Sequence, residues 1–218
     1  MNNSFNYIIS PEIFEFRNFS PKLKIGILAS GKGTNFQELI NLSEKNLLDI
    51  DIKILITNNK DAECIDRAVK ANIPYKLIKE KDYPLKKLFE GEIINTLLNS
   101  DVELVVMAGW MKIVSSEFVS KFKNKIINIH PSLLPSYKGY KAIEEALSSG
   151  SKITGCSVHF VETEVDSGTL IMQAALPILK DDNIKSLSKK IQKLEHTILP
   201  HSISNAGYLI RKNIKDNY

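Results

Sequence analysis

The chain has 218 residues, of which 43 % are apolar, and carries 29 Lys and Arg against 25 Asp and Glu. That suits one domain with its own core, alone or with a small appendage, and no apolar run is long enough to cross a bilayer. The net charge of +4 comes almost wholly from Lys scattered among acids, with Arg confined to positions 17, 67 and 211. This argues against a nucleic-acid surface and for a solvated exterior mildly favourable to a small anion.

Residues 1–21 stand apart. Phe5, Tyr7, Phe14, Phe16 and Phe19 are interleaved with Pro11 and Pro21, the pattern of an arm packed on the domain or of a loose tail. The opening "MNNSFNYIISPEIFEF" lacks the basic start and long apolar block of an export signal, so a cytoplasmic location is expected. From Lys22 the pattern changes. "LKIGILAS" predicts a strand, and a Gly turn leads into the helical "TNFQELINLSE". "DIKILITNN", "PYKLIK", "VELVVMAG" and "KIINI" predict four further strands. The helical stretches "DAECIDRAVKAN", "PLKKLFEGEIINTLLNS" and "SSEFVSKFKN" fall between them, the last capped by Ser115 or Ser116. "KITGCSVHFVE" and "TLIMQAALPI" are longer strands separated only by "TEVDSG", which predicts an antiparallel pair. The remainder is helical and interrupted at Pro200.

Apolar strands alternating with helices imply an α/β fold. We expect a mostly parallel, twisted, Rossmann-like sheet of about seven strands with helices on both faces and an antiparallel addition in the C-terminal half. The expected organisation is an N-terminal extension over 1–21 and a single domain over 22–218. Cys64 and Cys156 lie alone, without zinc spacing, and read as small buried residues; no metal is expected.

Gly31, Lys32, Gly33, Thr34 and Asn35 lie between a strand and a helix start, the position and composition of a phosphate cradle; a tight turn without a ligand is the plainer alternative. The loop fails the dinucleotide fingerprint because Phe36 stands where the third Gly belongs. It fails the P-loop pattern because Gly33 follows Lys32. Asn128 and His130 sit at the end of a strand, two apart and so on one face, before the stiff Pro131 and Pro135. An amide donor beside an imidazole suits a tetrahedral intermediate: one steadies an oxyanion and the other manages protons. No G-x-S-x-G elbow supports a serine hydrolase. Asp166, in the turn between the long strands, is a candidate carboxylate partner for His130. A structural histidine and a simple turn former are the plainer readings of these two.

"SGKGTN", "MAGWMKIVSSEFV", "IINIHPSLLPSYKG", "GCSVHFVETEVDSG" and "LEHTILP" occur in the order found in the folate-dependent formyltransferases, and the chain resembles that family over about residues 23–211. The Gly loop points to the branch whose acceptor is glycinamide ribonucleotide. The resemblance implies formyl transfer from 10-formyltetrahydrofolate to the amine of that ribonucleotide, in purine biosynthesis. It implies Asn128, His130 and Asp166 as catalytic residues, with Gly31, Lys32, Gly33, Thr34, Asn35, Lys86 and Glu195 on the ribonucleotide. Met111, Lys112, Ile113 and Val114, with Asn128, Thr163, Glu164, Val165 and Asp166, would line the folate pocket. Lys112 and Lys86 stand where many members carry Arg, and Trp110 where Phe is commoner. His159 and His196 read as structural. The expected partners are small molecules, with neither nucleic acid nor membrane, and the chain is expected to be a monomer or weak homodimer. A formyltetrahydrofolate hydrolase would share the catalytic residues but normally adds a larger N-terminal domain. A phosphate-binding module without chemistry would not need Asn, His and Asp at one point.

Overall fold

The structure, a computed structural model, describes residues 6–215; Phe5 and residues 216–218 lie outside the described residues. The strands are β1 (Ile8–Ser10), β2 (Leu23–Leu28), β3 (Ile50–Thr57), β4 (Tyr75–Leu77), β5 (Leu104–Met107), β6 (Ile126–His130), β7 (Ile153–Phe160) and β8 (Leu170–Pro177). They form one sheet in the order β1-β8-β7-β6-β5-β2-β3-β4. From β4 to β6 every pairing is parallel; β7, β8 and β1 are added antiparallel. The count is eight rather than about seven among the described residues because β1, from the arm, pairs with the middle of β8.

Among the described residues six α-helices cover the two faces: α1 (Thr34–Glu44), α2 (Cys64–Lys70), α3 (Lys86–Asn99), α4 (Ser116–Lys121), α5 (Ala142–Ser148) and α6 (Ile184–Lys215). Leu23, Ile25 and Ile27 of β2 pack with α1, α2 and α6, whereas Leu28 joins Phe89, Ile93 and Leu97 of α3 and Phe118 of α4. Strands buried on both faces are what the unbroken apolar runs dictate. α4 is capped by Ser115, whose Oγ accepts from the Phe118 N–H at 3.2 Å.

Two features depart from the sequence reading. α5 was not expected; it is two turns long and buries chiefly Ala142 and Ala146, too small an apolar face to announce itself. α6 runs straight through Pro200 instead of breaking there. Proline inside a helix costs about 3 kcal/mol through a lost hydrogen bond and a clash. Here Ile198, Leu199 and Ile203 are buried against the sheet around it, and that packing holds the helix together. The arm is packed: Phe14 and Phe16 flank the His201 ring, Phe19 is buried, and the Arg17 N–H donates to Ser204 Oγ at 2.7 Å.

Candidate active site

The connections from β2 run outward to β3 and β4 in one direction and to β5 and β6 in the other. A sheet wound in both directions opens a crevice at the carboxyl ends of the strands where the winding reverses. The loops after β2 and β5 meet there. The Ser30 N–H donates to Gly109 O at 3.0 Å, and the Met111 N–H donates to Ser30 Oγ at 3.0 Å. The first loop needs glycine. Gly33 has φ +66°, and a Cβ on it would lie 2.6 Å from Cys64 Cβ in α2. Arg67 braces the loop from beneath, donating through Nε to Lys32 O at 2.7 Å and through Nη1 to Gln37 Oε1 at 3.0 Å.

These loops open on a cleft of about 520 Å³. Gly31, Lys32, Thr34 and Asn35 line one end and residues 111–114 another, with residues 163–166 and Glu195 completing the wall. Asn35 Nδ2 donates to Glu195 Oε2 at 2.9 Å. Burial pushes the Glu195 carboxyl pKa up, and the Asn35 amide only partly restrains it. Met111 and Ile113 are 69 % and 63 % exposed, an apolar pair that suits a flat aromatic ligand. Lys112 is tied to Glu80, Nζ to Oε2 2.6 Å.

Asn128, His130 and Asp166 converge at the centre. His130 is 5 % exposed; its Nε2 lies 2.8 Å from Tyr137 O and its Nδ1 3.4 Å from Asp166 Oδ2. Both partners are acceptors, and each ring nitrogen faces one of them. Asp166, at φ +49°, takes the Gly139 N–H on Oδ2 at 2.8 Å and the Asn128 amide on Oδ1 at 3.5 Å. Burial pushes the Asp166 pKa up. The polar contacts to His159 and Gly139, with the charge of His130, outweigh burial and leave the pKa below the ordinary carboxylate range. Gly168 closes the turn: a Cβ there would lie 1.9 Å from Phe160 O.

Gly33 turns the loop without lining the cleft, and Lys86 is the one expected residue placed away from it. It begins α3 and points back along its own helix, Nζ 3.6 Å from Glu90 Oε1, and it does not line the cleft. Gln192, which the sequence reading missed, does line it and donates to Thr34 Oγ1 at 2.8 Å. Its only sequence signal was its place one helical turn before Glu195. His159 also enters the cluster, Nε2 3.3 Å from Asn128 Nδ2 and 3.6 Å from Asp166 Oδ1. No group of three or more His, Cys, Asp or Glu is placed to hold a metal ion among the described residues.

The cleft lies at the carboxyl ends of the parallel strands of a mixed sheet. Residues 23–203 match the Formyl transferase family, and the chain belongs to it. It is 39 % identical to phosphoribosylglycinamide formyltransferase from Anaplasma phagocytophilum, whose crystal structure superposes with a TM-score of 0.79 over 86 % of this chain and 88 % of that one. Glycinamide ribonucleotide transformylase 1 from Symbiobacterium toebii is 35 % identical, with a TM-score of 0.85 over 91 % and 93 % of the two chains. The trifunctional purine biosynthetic protein adenosine-3 of Homo sapiens is 39 % identical over 182 residues, 84 % of this chain but 18 % of that protein. The chain thus spans less than a fifth of such curated relatives.

Proposed function

We propose that the chain transfers the formyl group of 10-formyltetrahydrofolate to the amine of glycinamide ribonucleotide, a step of purine biosynthesis. The observation that carries this is the meeting of the glycine loop with Asn128, His130 and Asp166 in one cleft. Support also comes from a likeness to phosphoribosylglycinamide formyltransferases that spans most of both chains. In this reading the phosphate rests on the backbone N–H groups of the loop at the start of α1, where the helix dipole favours an anion. Asn35, Gln192 and Glu195 hold the sugar. Residues 111–114 and 163–166 seat the folate, with Lys112 released from Glu80 as a cation for its carboxylates.

The acceptor amine attacks the formyl carbon. One N–C bond forms and the C–N10 bond breaks; the amine gives up one proton and N10 gains one. Asn128 donates an N–H to the developing oxyanion, and a preorganised donor of this kind is worth about 10²–10³ in rate. His130 contributes its positive charge, and Asp166 holds that charge in place while relaying the proton. Residues 22–218 form the catalytic unit with 1–21 as an appendage. The reactants are small molecules, and the enzyme works in the cytoplasm without a metal.

The purified protein is to be given 10-formyltetrahydrofolate with and without glycinamide ribonucleotide, following tetrahydrofolate, formate and formylated product. We expect product and tetrahydrofolate in equal amounts, and only when the amine is present. Formate release that does not need the amine would replace this reading with a hydrolase. The absence of any folate turnover would leave only binding.

A further inference from the structure

His159 lies on β7 directly opposite Asn128 of β6 and is 2 % exposed. A register irregularity falls at this point in the β7–β8 pairing: Val158 pairs with Met172 and His159 with Leu170, so Ile171 is the extra residue. Such bulges re-aim a side chain and gather beside active sites. The ring has polar contacts at both nitrogens. Nδ1 lies 2.7 Å from Phe160 O, and Nε2 lies 3.3 Å from Asn128 Nδ2 and 3.6 Å from Asp166 Oδ1.

The hydrogens can be assigned by elimination. A carbonyl only accepts, so Nδ1 carries the hydrogen that faces Phe160 O. The Asn128 nitrogen points toward both Asp166 Oδ1 and His159 Nε2. Turning the amide over would set its oxygen against the Asp166 carboxylate, acceptor against acceptor. With the NH₂ kept toward Asp166, donor meets acceptor at both Asn128 contacts if Nε2 is a bare lone pair; the 3.6 Å approach of Nε2 to Asp166 Oδ1 lies beyond hydrogen-bond reach, so the shorter Asn128 contact decides. One Asn128 hydrogen then goes to His159 at 3.3 Å. The other meets Asp166 at only 3.5 Å, at the outer limit of a hydrogen bond, and so can be drawn away by a stronger acceptor.

We infer that His159 is a positioning residue for formyl transfer: a neutral imidazole protonated on Nδ1, which accepts one hydrogen of the Asn128 carboxamide and so presents the other to the reacting formyl oxygen. The inference rests on the transfer reaction proposed above for its consequence in rate, but not for its hydrogen-bond assignment. It also gives a reason for a second buried histidine beside the catalytic cluster. Without an acceptor at Nε2 the amide is free to turn its carbonyl toward the oxyanion, which would repel it.

Two substitutions separate the ring's two contacts. In His159→Asn the amide can occupy the Nδ1 position and keep the Phe160 contact, but it leaves nothing at Nε2. In His159→Gln the longer side chain places its carbonyl near Nε2 and can still accept from Asn128. We expect His159→Asn to lower kcat by about 10–100-fold, less than the about 10²–10³ expected for removing the donor itself. KM for both substrates should stay within about threefold, and His159→Gln should recover most of the rate. In an Asn128→Ala background His159→Asn should have almost no further effect on kcat. Equal rates in the two single variants, or an undiminished effect without Asn128, would overturn the inference. The tautomer is tested independently of any turnover by ¹⁵N NMR of the unmodified protein at neutral pH. Protonated Nδ1 with bare Nε2 is expected, and a proton on Nε2 would overturn the assignment even in an enzyme whose reaction had been named correctly.

Discussion

His130 and His201 are both buried histidines with opposite surroundings. His130 stands between the Tyr137 carbonyl and the Asp166 carboxylate in the wall of the cleft. His201 stands between the rings of Phe14 and Phe16 under the arm, with centroids 5.3 and 4.4 Å away and Nδ1 buried without a partner. Burial lowers the His201 pKa, offset in part by hydrogen bonding at the Phe14 backbone. Low exposure is common to both and says nothing about use. What separates them is the neighbours: hydrogen-bond acceptors facing both ring nitrogens of His130, and aromatic rings packed on His201.

The contrast is sharpened by changing one neighbour on each side. The largest effect is expected from Asp166→Asn, which removes the carboxylate facing His130. Formyl transfer should slow by about 10²–10⁴ at saturating substrate, as for loss of a proton-handling group. Ribonucleotide affinity should stay nearly intact in equilibrium titration. A loss of affinity matching the loss of rate would make Asp166 a structural residue.

On the other side, Phe16→Ala should cost about 1–3 kcal/mol in denaturant unfolding, below the range for a fully buried Phe because this ring is half-buried. It should leave kcat unchanged. A fall in kcat without loss of stability would show that the arm reaches the chemistry and would erase the distinction between the two sites.

The smallest expected effect concerns acid. His201 has a folded pKa below its unfolded value, so its contribution to stability is present above about pH 6.5 and is lost as pH falls toward the folded value. The drop in Tm between pH 7 and pH 5 should therefore be smaller in His201→Phe than in the unaltered protein. Asp166, with its lowered pKa, also weakens the fold in acid, but at lower pH, as its carboxylate takes up a proton. An identical pH dependence of Tm with and without His201 would show that this ring does not resist protonation.

Much of this was legible in the letters. "TNFQELINLSE" is helical from its first residue to its last, because Phe36, Leu39 and Ile40 recur at helical spacing after a glycine that the turn requires. The strand-end pair Asn128 and His130 could be read because two-residue spacing fixes a shared face. His159 could not. Its meeting with Asn128 depends on the register between β6 and β7, which is not written in either strand alone. Lys86 was misplaced for a related reason: a residue at a helix start can point into a cleft or back along its own helix, and Glu90 four residues on decides it. Pro200 misled because a local cost of a few kcal/mol loses to a buried helix face.

The three residues of β1 also change what the molecule shows to its neighbours. β8 is eight residues long and would otherwise end the sheet as a bare row of amides and carbonyls. With Ile8, Ile9 and Ser10 paired to residues 173–175, that row is covered at its centre, and Pro11, which has no N–H, follows directly. A chain trimmed of its first 21 residues would bare that row and gain a sticky margin, ready to recruit the same strand from another copy.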